Sequence, residues 1–413
     1  MGPKPQEAPA RCWRMRAILL AAGEGKRMRP LTAKRPKVLL PAGPEPMLHR
    51  LVRQLVQAGV VDITIVTHYQ AKAIEASVGD GSQWGATVRY APQGSPQGTG
   101  HAVAAGAPPE DEPFLALNGD VFLPEGTLAR LVAAGPGSLL AAKVADPAAY
   151  GAFRLDATER VVGVAEKSDA PPSDLVNAGG YHCPPGFAAR LAAVKPSPRG
   201  ELELTDALQA AFDAEGGWQA VTVDGWLDVG RPWDLLEAGA RALAELPEGR
   251  DGVVENGATL HGKVIVARGA HVKAGSYIEG PVYIGADSVV GPNCYLRPNT
   301  IVLDNCKVGN ATEVKASLLM AGAHVGHLSY VGDSVLGERV NFGAGTLVAN
   351  LRHDGKTVKT TQEGVRVDTR RRKFGVVCGD DVHTGINTSL NVGVMLPADG
   401  ATTPGEVVLK SRV

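Results

Sequence analysis

A six-residue periodicity in the second half of the chain constrains its fold more than any other feature. Aliphatic side chains recur in one phase, and the residues two positions before them are mostly small or β-branched. The periodic positions are Leu260, Val266, Val272, Ile278, Ile284, Val290, Leu296, Val302, Val308, Val314 and Met320. A hexapeptide period is typical of a parallel β-helix, in which three hexads make one triangular coil and the aliphatic side chains point to the axis.

The period is interrupted after Met320 and returns at Cys378, Thr384, Leu390 and Leu396. Between these two parts lies a polar and basic stretch, residues 350–374, which we interpret as a loop extruded from the coil. The sequence therefore predicts a hexapeptide-repeat domain over residues 257–413, a rigid rod in which each repeat packs only on its neighbours.

The first half of the chain has a different pattern, in which short aliphatic runs alternate with amphipathic stretches. The runs at 16–21, 63–67, 114–117 and 138–144 predict strands, and the stretches at 47–58, 70–78 and 125–133 predict helices. This alternation predicts an α/β, Rossmann-like domain with a mainly parallel sheet over residues 15–246. In such sheets, ligands bind at the carboxyl ends of the strands. We interpret residues 247–256 as a linker and residues 1–14 as a disordered tail or the result of a misplaced start codon.

Composition excludes several classes of partner. Apolar residues make up 44% and charged residues 21% of the 413-residue chain, which describes an ordinary globular protein. The formal net charge of -1 gives no overall field that favours nucleic acid or an anionic membrane. The cysteines form no CxxC pair, so we expect reduced thiols and a cytoplasmic location. They are Cys12, Cys183, Cys294, Cys306 and Cys378.

A glycine-rich turn after the first predicted strand is the first candidate binding site. A P-loop would need Ser or Thr directly after its Gly-Lys pair, and here Lys26 is followed by Arg27. A dinucleotide fingerprint would need a further glycine near Met28 and an acidic residue at the end of the second strand, where residues 66–68 supply none. Two interpretations of the turn remain. It is either a plain strand–helix turn or a turn whose backbone N–H groups approach phosphate oxygens. We favour the phosphate site, because Arg27 and Lys37 add positive charge there. Its candidate residues are Leu20, Ala22, Gly23, Gly25, Arg27 and Lys37.

This turn and the segments after it resemble the signature of sugar-nucleotide pyrophosphorylases, in the order in which that family carries them. The resemblance implies that the base contacts Gln93, Gly98 and Thr99. It implies that the sugar phosphate contacts Gly151, Glu166, Lys167 and Asn177, and that magnesium binds to Asp120 and Asp228. The implied reaction joins a sugar phosphate to a nucleoside triphosphate and releases pyrophosphate. Charge neutralisation and alignment contribute most of the catalysis in such a transfer, and Mg²⁺ prefers one or two carboxylates plus phosphate oxygens.

His327 lies on the repeat domain where the hexad phase is interrupted. The segments around it resemble the acetyltransferase half of the bacterial bifunctional family that makes UDP-N-acetylglucosamine. They are more similar still to an archaeal-type family that pairs sugar-1-phosphate nucleotidylyl transfer with acetylation of glucosamine- and galactosamine-1-phosphate. The segments that carry this second resemblance are residues 199–206, 350–352 and 384–387. The implied contacts for the substrate and acetyl-CoA are Arg297, Lys315, Tyr330, Asn341, Ala344, Asn350 and Lys356.

The resemblance implies a left-handed β-helix, a homotrimer and acetyl-CoA as co-substrate. It implies that His327 is the general base that takes a proton from the sugar amine, a task that suits the ordinary pKa of histidine. The sequence does not decide between several possible substrates. Gln93 can face uracil or thymine, so UTP and dTTP both remain, as do glucose- and N-acetylglucosamine-1-phosphate as acceptors and gluco or galacto amino sugars for acetylation.

Two alternative functions belong to other classes. In the first, the β-helix is a non-catalytic oligomerisation or regulatory module, as in ADP-glucose and GDP-mannose pyrophosphorylases, and the protein is a monofunctional nucleotidylyltransferase. In the second, the protein is a sensor or scaffold with an inactive transferase fold. The joint presence of Arg27, Lys37, Asp120, Lys167 and Asp228 argues against the second.

Overall fold

The computed structural model describes residues 15–95, 98–108, 112–197 and 200–412. The predicted tail at residues 1–14 lies outside these ranges, as do Cys12 and Arg199. The remaining cysteines, Cys183, Cys294, Cys306 and Cys378, are free and buried. In the part of the chain that the structure describes, no helix combines the length and the apolar character needed to cross a bilayer.

The first half forms one sheet with helices on both faces. Its elements are β1 (Arg16–Ala21), α1 (Met47–Gln57), β2 (Asp62–Thr67), α2 (Ala71–Val78), β3 (Thr87–Pro92), α3 (Thr99–Gly106), β4 (Phe114–Asn118), β5 (Val121–Phe122), α4 (Thr127–Ala134), β6 (Ser138–Lys143), β7 (Gly151–Leu155), β8 (Val161–Glu166), β9 (Leu175–Cys183), α5 (Phe187–Ala193), α6 (Leu204–Glu215), β10 (Gln219–Thr222), β11 (Leu227–Asp228) and α7 (Asp234–Glu245). Central strands such as β4 are buried along almost their whole length, as expected for strands covered on both faces.

The strand order is β10-β6-β9-β4-β1-β2-β3. The ladders β4–β1, β1–β2, β2–β3 and β10–β6 are parallel. β9 lies antiparallel between β4 and β6, and β7 and β8 add an antiparallel pair beside it. The sheet is therefore mainly parallel along this order, as the sequence predicted, and the antiparallel strands make it mixed. The sequence did not predict the direction of β9, because a buried strand looks the same in either direction.

The second half winds three parallel sheets around one apolar core, which is a parallel β-helix. We call the sheets wall 1, wall 2 and wall 3. Wall 1 contains β12 (Val253–Val254), β15 (His271–Val272), β18 (Val289–Val290), β21 (Lys307–Val308), β24 (His324–Val325) and β27 (Asn341–Phe342). Wall 2 contains β13 (Thr259–His261), β16 (Tyr277–Glu279), β19 (Tyr295–Leu296), β22 (Glu313–Lys315), β25 (Tyr330–Gly332), β28 (Leu347–Val348), β32 (Ser389–Leu390) and β34 (Val407–Val408). Wall 3 contains β14 (Val264–Val266), β17 (Val282–Ile284), β20 (Thr300–Val302), β23 (Leu318–Leu319), β26 (Val335–Leu336), β31 (Val377–Cys378) and β33 (Met395–Leu396).

The hexad prediction is confirmed up to Val314 and wrong at Met320. Partners in the first coils are 18 residues apart, as in Val266 and Ile284, but Val302 pairs with Leu319. One residue is missing at the corner near Ala316, whose φ is +45°. Leu319 therefore points to the axis, while Met320 packs outside the rod. The strand register shifts by one residue, and such a shift reverses which face a side chain occupies.

The predicted linker is shorter than residues 247–256. Arg250 bridges to Val266, and β12 pairs with β15 in wall 1, so the first coil begins inside the predicted linker. The predicted loop at residues 350–374 leaves the rod and carries an antiparallel hairpin, β29 (Lys359–Gln362) and β30 (Val365–Asp368).

The two halves share a buried apolar cluster, in which α7 packs on the outer face of wall 3. Leu235 and Leu236 from α7 meet Ile301, Leu318 and Met320 there. Phe374, from the base of the inserted loop, is fully buried in the same cluster, with its ring 5.8 Å from that of Trp233. The halves therefore form one packed body.

We expect Phe374→Ala to lower the free energy of unfolding by about 3–5 kcal/mol, because it removes a ring from a closed apolar interface. Urea unfolding followed by tryptophan fluorescence measures this, since Trp233 reports on the same interface. Val365→Ala is the control, because its side chain is 64% exposed; it should change stability by less than about 0.5 kcal/mol. A cost below about 1 kcal/mol for Phe374→Ala would contradict a packed interface.

Candidate active sites

A cleft of about 590 Å³ opens at the carboxyl ends of β1, β2 and β4. The glycine turn forms one side of it, with Gly25 in the left-handed conformation and Lys26–Met28 making one 3₁₀ turn. The start of α3 forms another side, where the Gln93 amide donates to the Gly98 carbonyl at 3.0 Å. The predicted residues that line the cleft are Leu20, Ala22, Gly23, Lys37, Gln93, Gly98, Thr99 and Asp120.

The predicted metal carboxylates lie next to each other. The short antiparallel pair β5–β11 places Asp228 opposite Val121, and the Val229 N–H points to the Asp120 carbonyl at 3.4 Å. Lys37 is buried and its Nζ donates to Asp120 Oδ2 at 2.5 Å. The site residues are separated by up to about two hundred positions in the chain, and the fold brings them to one place.

Five charged groups surround this point. Burial raises the pKa of the Asp228 carboxyl, the charge of Asp120 raises it further, and the charges of Lys37, Arg27 and Lys167 lower it. Arg27 is exposed at the rim, where a Cβ on Gly230 would lie 3.8 Å from its guanidinium. The paired carboxylates fit the donor set that Mg²⁺ prefers.

The predicted sugar-phosphate residues line the neighbouring ladder. Gly151 lies opposite Glu166 in the β7–β8 pair, and the Lys167 N–H donates to the Tyr150 carbonyl at 3.1 Å. The Asn177 side chain is hydrogen-bonded to the Tyr181 hydroxyl at 2.7 Å. Trp226 Nε1 donates to the Ala178 carbonyl at 3.0 Å and ties this ladder to the segment that carries Asp228.

The cleft also contains residues to which the sequence assigned no role. His68 and Tyr69 follow β2 directly, so the rule that ligands bind at strand ends could have indicated them. Asn118 ends β4, and Glu201 and Glu203 enter from the segment before α6. A backbone hydrogen bond joins that segment to α3, in which the Gly100 N–H donates to the Leu202 carbonyl at 2.8 Å.

On the β-helix, a polar network lies at the corner between walls 2 and 3. Lys315 Nζ is 3.0 Å from Asp333 Oδ2, and the Asn350 amide donates to the same carboxylate at 2.6 Å and to the Tyr330 hydroxyl at 3.1 Å. Burial raises the pKa of Tyr330. Arg297 pairs with Glu313 at 3.0 Å on the same wall. Asp333, which the sequence did not single out as a site residue, is the centre of this network.

His327 and Asn341 lie elsewhere on the coil. His327 is exposed at the corner between walls 1 and 2, where its carbonyl accepts from the Gly345 N–H at 3.1 Å, so Ala344 is stacked in the next coil. Asn341 is on wall 1, and Lys356 is on the inserted loop. His327 lies at the corner before β25 and Asp333 at the corner after it, so a strand of wall 2 lies between them. One chain therefore places these predicted and observed residues at two corners of the coil.

The fold and the cleft define a nucleotidyl transferase, and residues 16–245 match the Nucleotidyl transferase family model. Residues 278–403 match the model of the GMPPB C-terminal domain. A putative glucose-1-phosphate thymidylyltransferase from Bacillus anthracis, solved in complex with a sucrose, is similar in structure. Its TM-score is 0.50 and its identity 26%, over 57% of this chain and 98% of that one.

Two relatives match almost the whole chain. A bifunctional sugar-1-phosphate nucleotidylyltransferase/acetyltransferase from Sulfurisphaera tokodaii is 38% identical over 95% of this chain and 97% of its own length. Bifunctional protein GlmU from Methanocaldococcus jannaschii is 39% identical over 92% of this chain and 91% of its own length. The chain belongs to the family of bifunctional sugar-1-phosphate nucleotidylyltransferase/acetyltransferases. These similarities favour the bifunctional prediction over the monofunctional alternative.

Proposed function

We propose that this enzyme transfers UMP or dTMP from UTP or dTTP to glucose- or N-acetylglucosamine-1-phosphate, and that it N-acetylates glucosamine- or galactosamine-1-phosphate with acetyl-CoA, in the cytoplasm. The observation that carries the first activity is that Asp120 and Lys37 are paired in the cleft and that their charges, with those of Arg27 and Lys167, act on the neighbouring Asp228 carboxyl. Such a cluster compensates the charge of two polyanionic substrates held side by side.

In the nucleotidyl transfer, an oxygen of the sugar phosphate attacks the α-phosphorus of the triphosphate, and the bond to the β-phosphate oxygen breaks. The backbone N–H groups around Gly23 and the guanidinium of Arg27 bind the departing pyrophosphate. Lys167 holds the attacking phosphate, and Lys37, which Asp120 holds in place, supplies positive charge near the reacting phosphorus. Bound Mg²⁺, held by Asp120 and Asp228, would neutralise charge on the phosphate oxygens as a Lewis acid.

In the acetyl transfer, the amine of the sugar attacks the thioester carbonyl of acetyl-CoA, His327 takes the amine proton, and CoA leaves as the thiol. Arg297 and Lys315 bind the phosphate of the sugar. Tyr330, Asn341 and Asn350 orient the sugar ring, with Ala344 and Lys356 at the edge of the site.

We propose that the enzyme is a homotrimer whose acetyltransferase sites lie between copies. The position of His327 at a different corner from the Lys315–Asp333–Asn350 network supports this, because a neighbouring copy could then supply the missing part of each site. A half-open apolar groove on wall 2 offers a surface for a neighbouring copy. It is lined by Tyr330, Leu347, Val348, Ala349, Ser389, Leu390, Asn391, Val407 and Leu409.

One panel tests the proposal. Purified enzyme with Mg²⁺ is incubated with UTP or dTTP and each sugar phosphate, and pyrophosphate is measured. Separately, the enzyme receives acetyl-CoA and glucosamine- or galactosamine-1-phosphate, and free thiol is measured. Pyrophosphate without thiol would favour the monofunctional alternative, and neither product would contradict both activities.

Gly25→Ala should reduce nucleotidyl transfer at least tenfold. Gly25 has a φ of +66°, and a Cβ there would lie 2.7 Å from the Cβ of Lys37. The substitution therefore moves Lys37 away from Asp120 in addition to straining the turn. Steady-state pyrophosphate release measures the effect.

Gly59→Ala is the matched control, because Gly59 has a φ of +83° and open space around its missing Cβ. Both variants carry the conformational strain, but only Gly25→Ala displaces a site residue. Equal activity of the two variants would show that the contact between Gly25 and Lys37 is unimportant for the reaction.

A further inference from the structure

The loop that carries Arg27 and Lys37 is held by the β-helix at two places. The first is the tip of the β29–β30 hairpin, where the Gln362 amide donates to the backbone carbonyl of Arg27 at 2.8 Å. The second lies two residues before Lys37, where Arg35 pairs with Asp380 at 2.6 Å and with Glu338. Residues more than 300 positions apart in the sequence thus form both contacts.

Gln362 joins the loop that carries Arg27 to the segment that follows Asp228. Its Nε2 donates to the Arg27 carbonyl, and its Oε1 accepts a hydrogen bond from the guanidinium of Arg231. Arg231 follows Asp228 by three residues, and its own N–H donates to Asp234 at 2.7 Å. Gln362 is only 7% exposed, so both ends of its amide are satisfied in a closed environment.

The hairpin that presents Gln362 is closed by a tight turn and attached to the coil. Glu363 and Gly364 form its two-residue turn with φ values of +48° and +77°, the left-handed pair of a tight type I′ hairpin. Thr360 Oγ1 donates to the Gly393 carbonyl at 2.6 Å and fixes the hairpin to the coil. At its base, Val358 is fully buried in the interface between the two halves. A side chain on such a support holds its partner in a fixed position.

We propose that Gln362, a residue of the acetyltransferase half, is a positioning residue for nucleotidyl transfer, acting on Arg27 through its backbone carbonyl. The inference rests on the proposed function of the cleft. Arg27 lies in a 3₁₀ turn of three residues with an exposed side chain, so its guanidinium has little support of its own. Gln362 fixes the backbone from which that guanidinium reaches the leaving pyrophosphate.

Because Gln362 orients a group that acts on the leaving pyrophosphate, its loss affects the chemical step more than substrate binding. In the full-length enzyme, Gln362→Leu should lower kcat for pyrophosphate release about tenfold, or about 1.4 kcal/mol of activation free energy. KM for the nucleotide should change less than about threefold, and thiol release from acetyl-CoA should be unchanged. The melting temperature should stay within a few degrees of the parent.

Gln362→Glu distinguishes the contributions of the two hydrogen bonds that Gln362 makes. Its carboxylate still accepts from Arg231 but cannot donate to the Arg27 carbonyl, so kcat should fall as in Gln362→Leu. Val365→Thr is the matched control, because Val365 pairs with Gln362 across the hairpin and its side chain is exposed. It should keep full nucleotidyl transfer.

Three results would overturn the inference: a kcat for Gln362→Leu within twofold of the parent, full activity of Gln362→Glu, or an equal fall of thiol release in Gln362→Leu. A parent enzyme that releases no pyrophosphate from any nucleotide and sugar phosphate would instead contradict the proposed function of the cleft.

Discussion

Asp228→Asn is expected to reduce pyrophosphate release by a factor on the order of 10³ while thiol release from acetyl-CoA stays at the parent level. The substitution replaces one of two neighbouring carboxylates with an amide of the same shape. A weaker hold on the divalent cation removes several kcal/mol of charge stabilisation in the transition state, and each 1.36 kcal/mol is a factor of ten in rate. Parallel pyrophosphate and thiol assays on one preparation measure both activities.

Loss of folding does not explain the expected result. In protein without Mg²⁺, burial raises the pKa of Asp228, so at pH values above that pKa its ionised form destabilises the folded state. Asparagine carries no charge, so Asp228→Asn measured without Mg²⁺ should melt at the same temperature as the parent or higher.

Asp224→Asn is the control, because Asp224 is exposed and lies four residues earlier in the chain. It should change neither activity. Full pyrophosphate release by Asp228→Asn would remove the carboxylate pair from the mechanism, and the assignment of the cleft with it.

His327→Ala should have the opposite pattern, with thiol release reduced 10²- to 10⁴-fold and pyrophosphate release unchanged. This range is typical for the loss of a general base. The backbone should tolerate the change, because the contact of His327 with the next coil is made by its carbonyl oxygen, which alanine keeps. The side chain is exposed, so no core contact is lost.

His324→Ala is the control for His327→Ala. His324 is also exposed and lies three residues earlier, on wall 1. Its loss should change thiol release less than about threefold. If His324→Ala is inactive and His327→Ala is active, the general base has been assigned to the wrong histidine. If His327→Ala silences both reactions in folded protein, the two sites are not separate.

Each half of the chain supports the structure of the other. The acetyltransferase half supplies Gln362, Asp380 and Glu338 to the support of the nucleotidyl-transfer loop. The nucleotidyl-transfer half supplies α7 to the outer face of wall 3. We therefore expect that the two activities use separate residues but share one structural body.

The sequence by itself determined the coil up to Val314, the strands whose carboxyl ends form the cleft, and the glycine turn with its basic residues. These features are local. A hexad places each aliphatic side chain on the axis whatever lies outside the rod, and a buried strand followed by a polar turn places its end residues at a sheet edge. The residues predicted to meet in the cleft beyond the glycine turn were instead named from the resemblance to sugar-nucleotide pyrophosphorylases.

Only the tertiary structure decided the direction of β9, the missing residue at the corner near Ala316, and the hairpin contact of Gln362 with the Arg27 loop. It also placed His327 and the Lys315–Asp333–Asn350 network at different corners of the coil. The direction of β9 and the corner near Ala316 depend on packing within one half, and the contact of Gln362 with the Arg27 loop depends on how the two halves pack together. Their contacts join residues distant in the chain, such as Arg35 and Asp380, and no periodicity along the sequence encodes which surface will cover which.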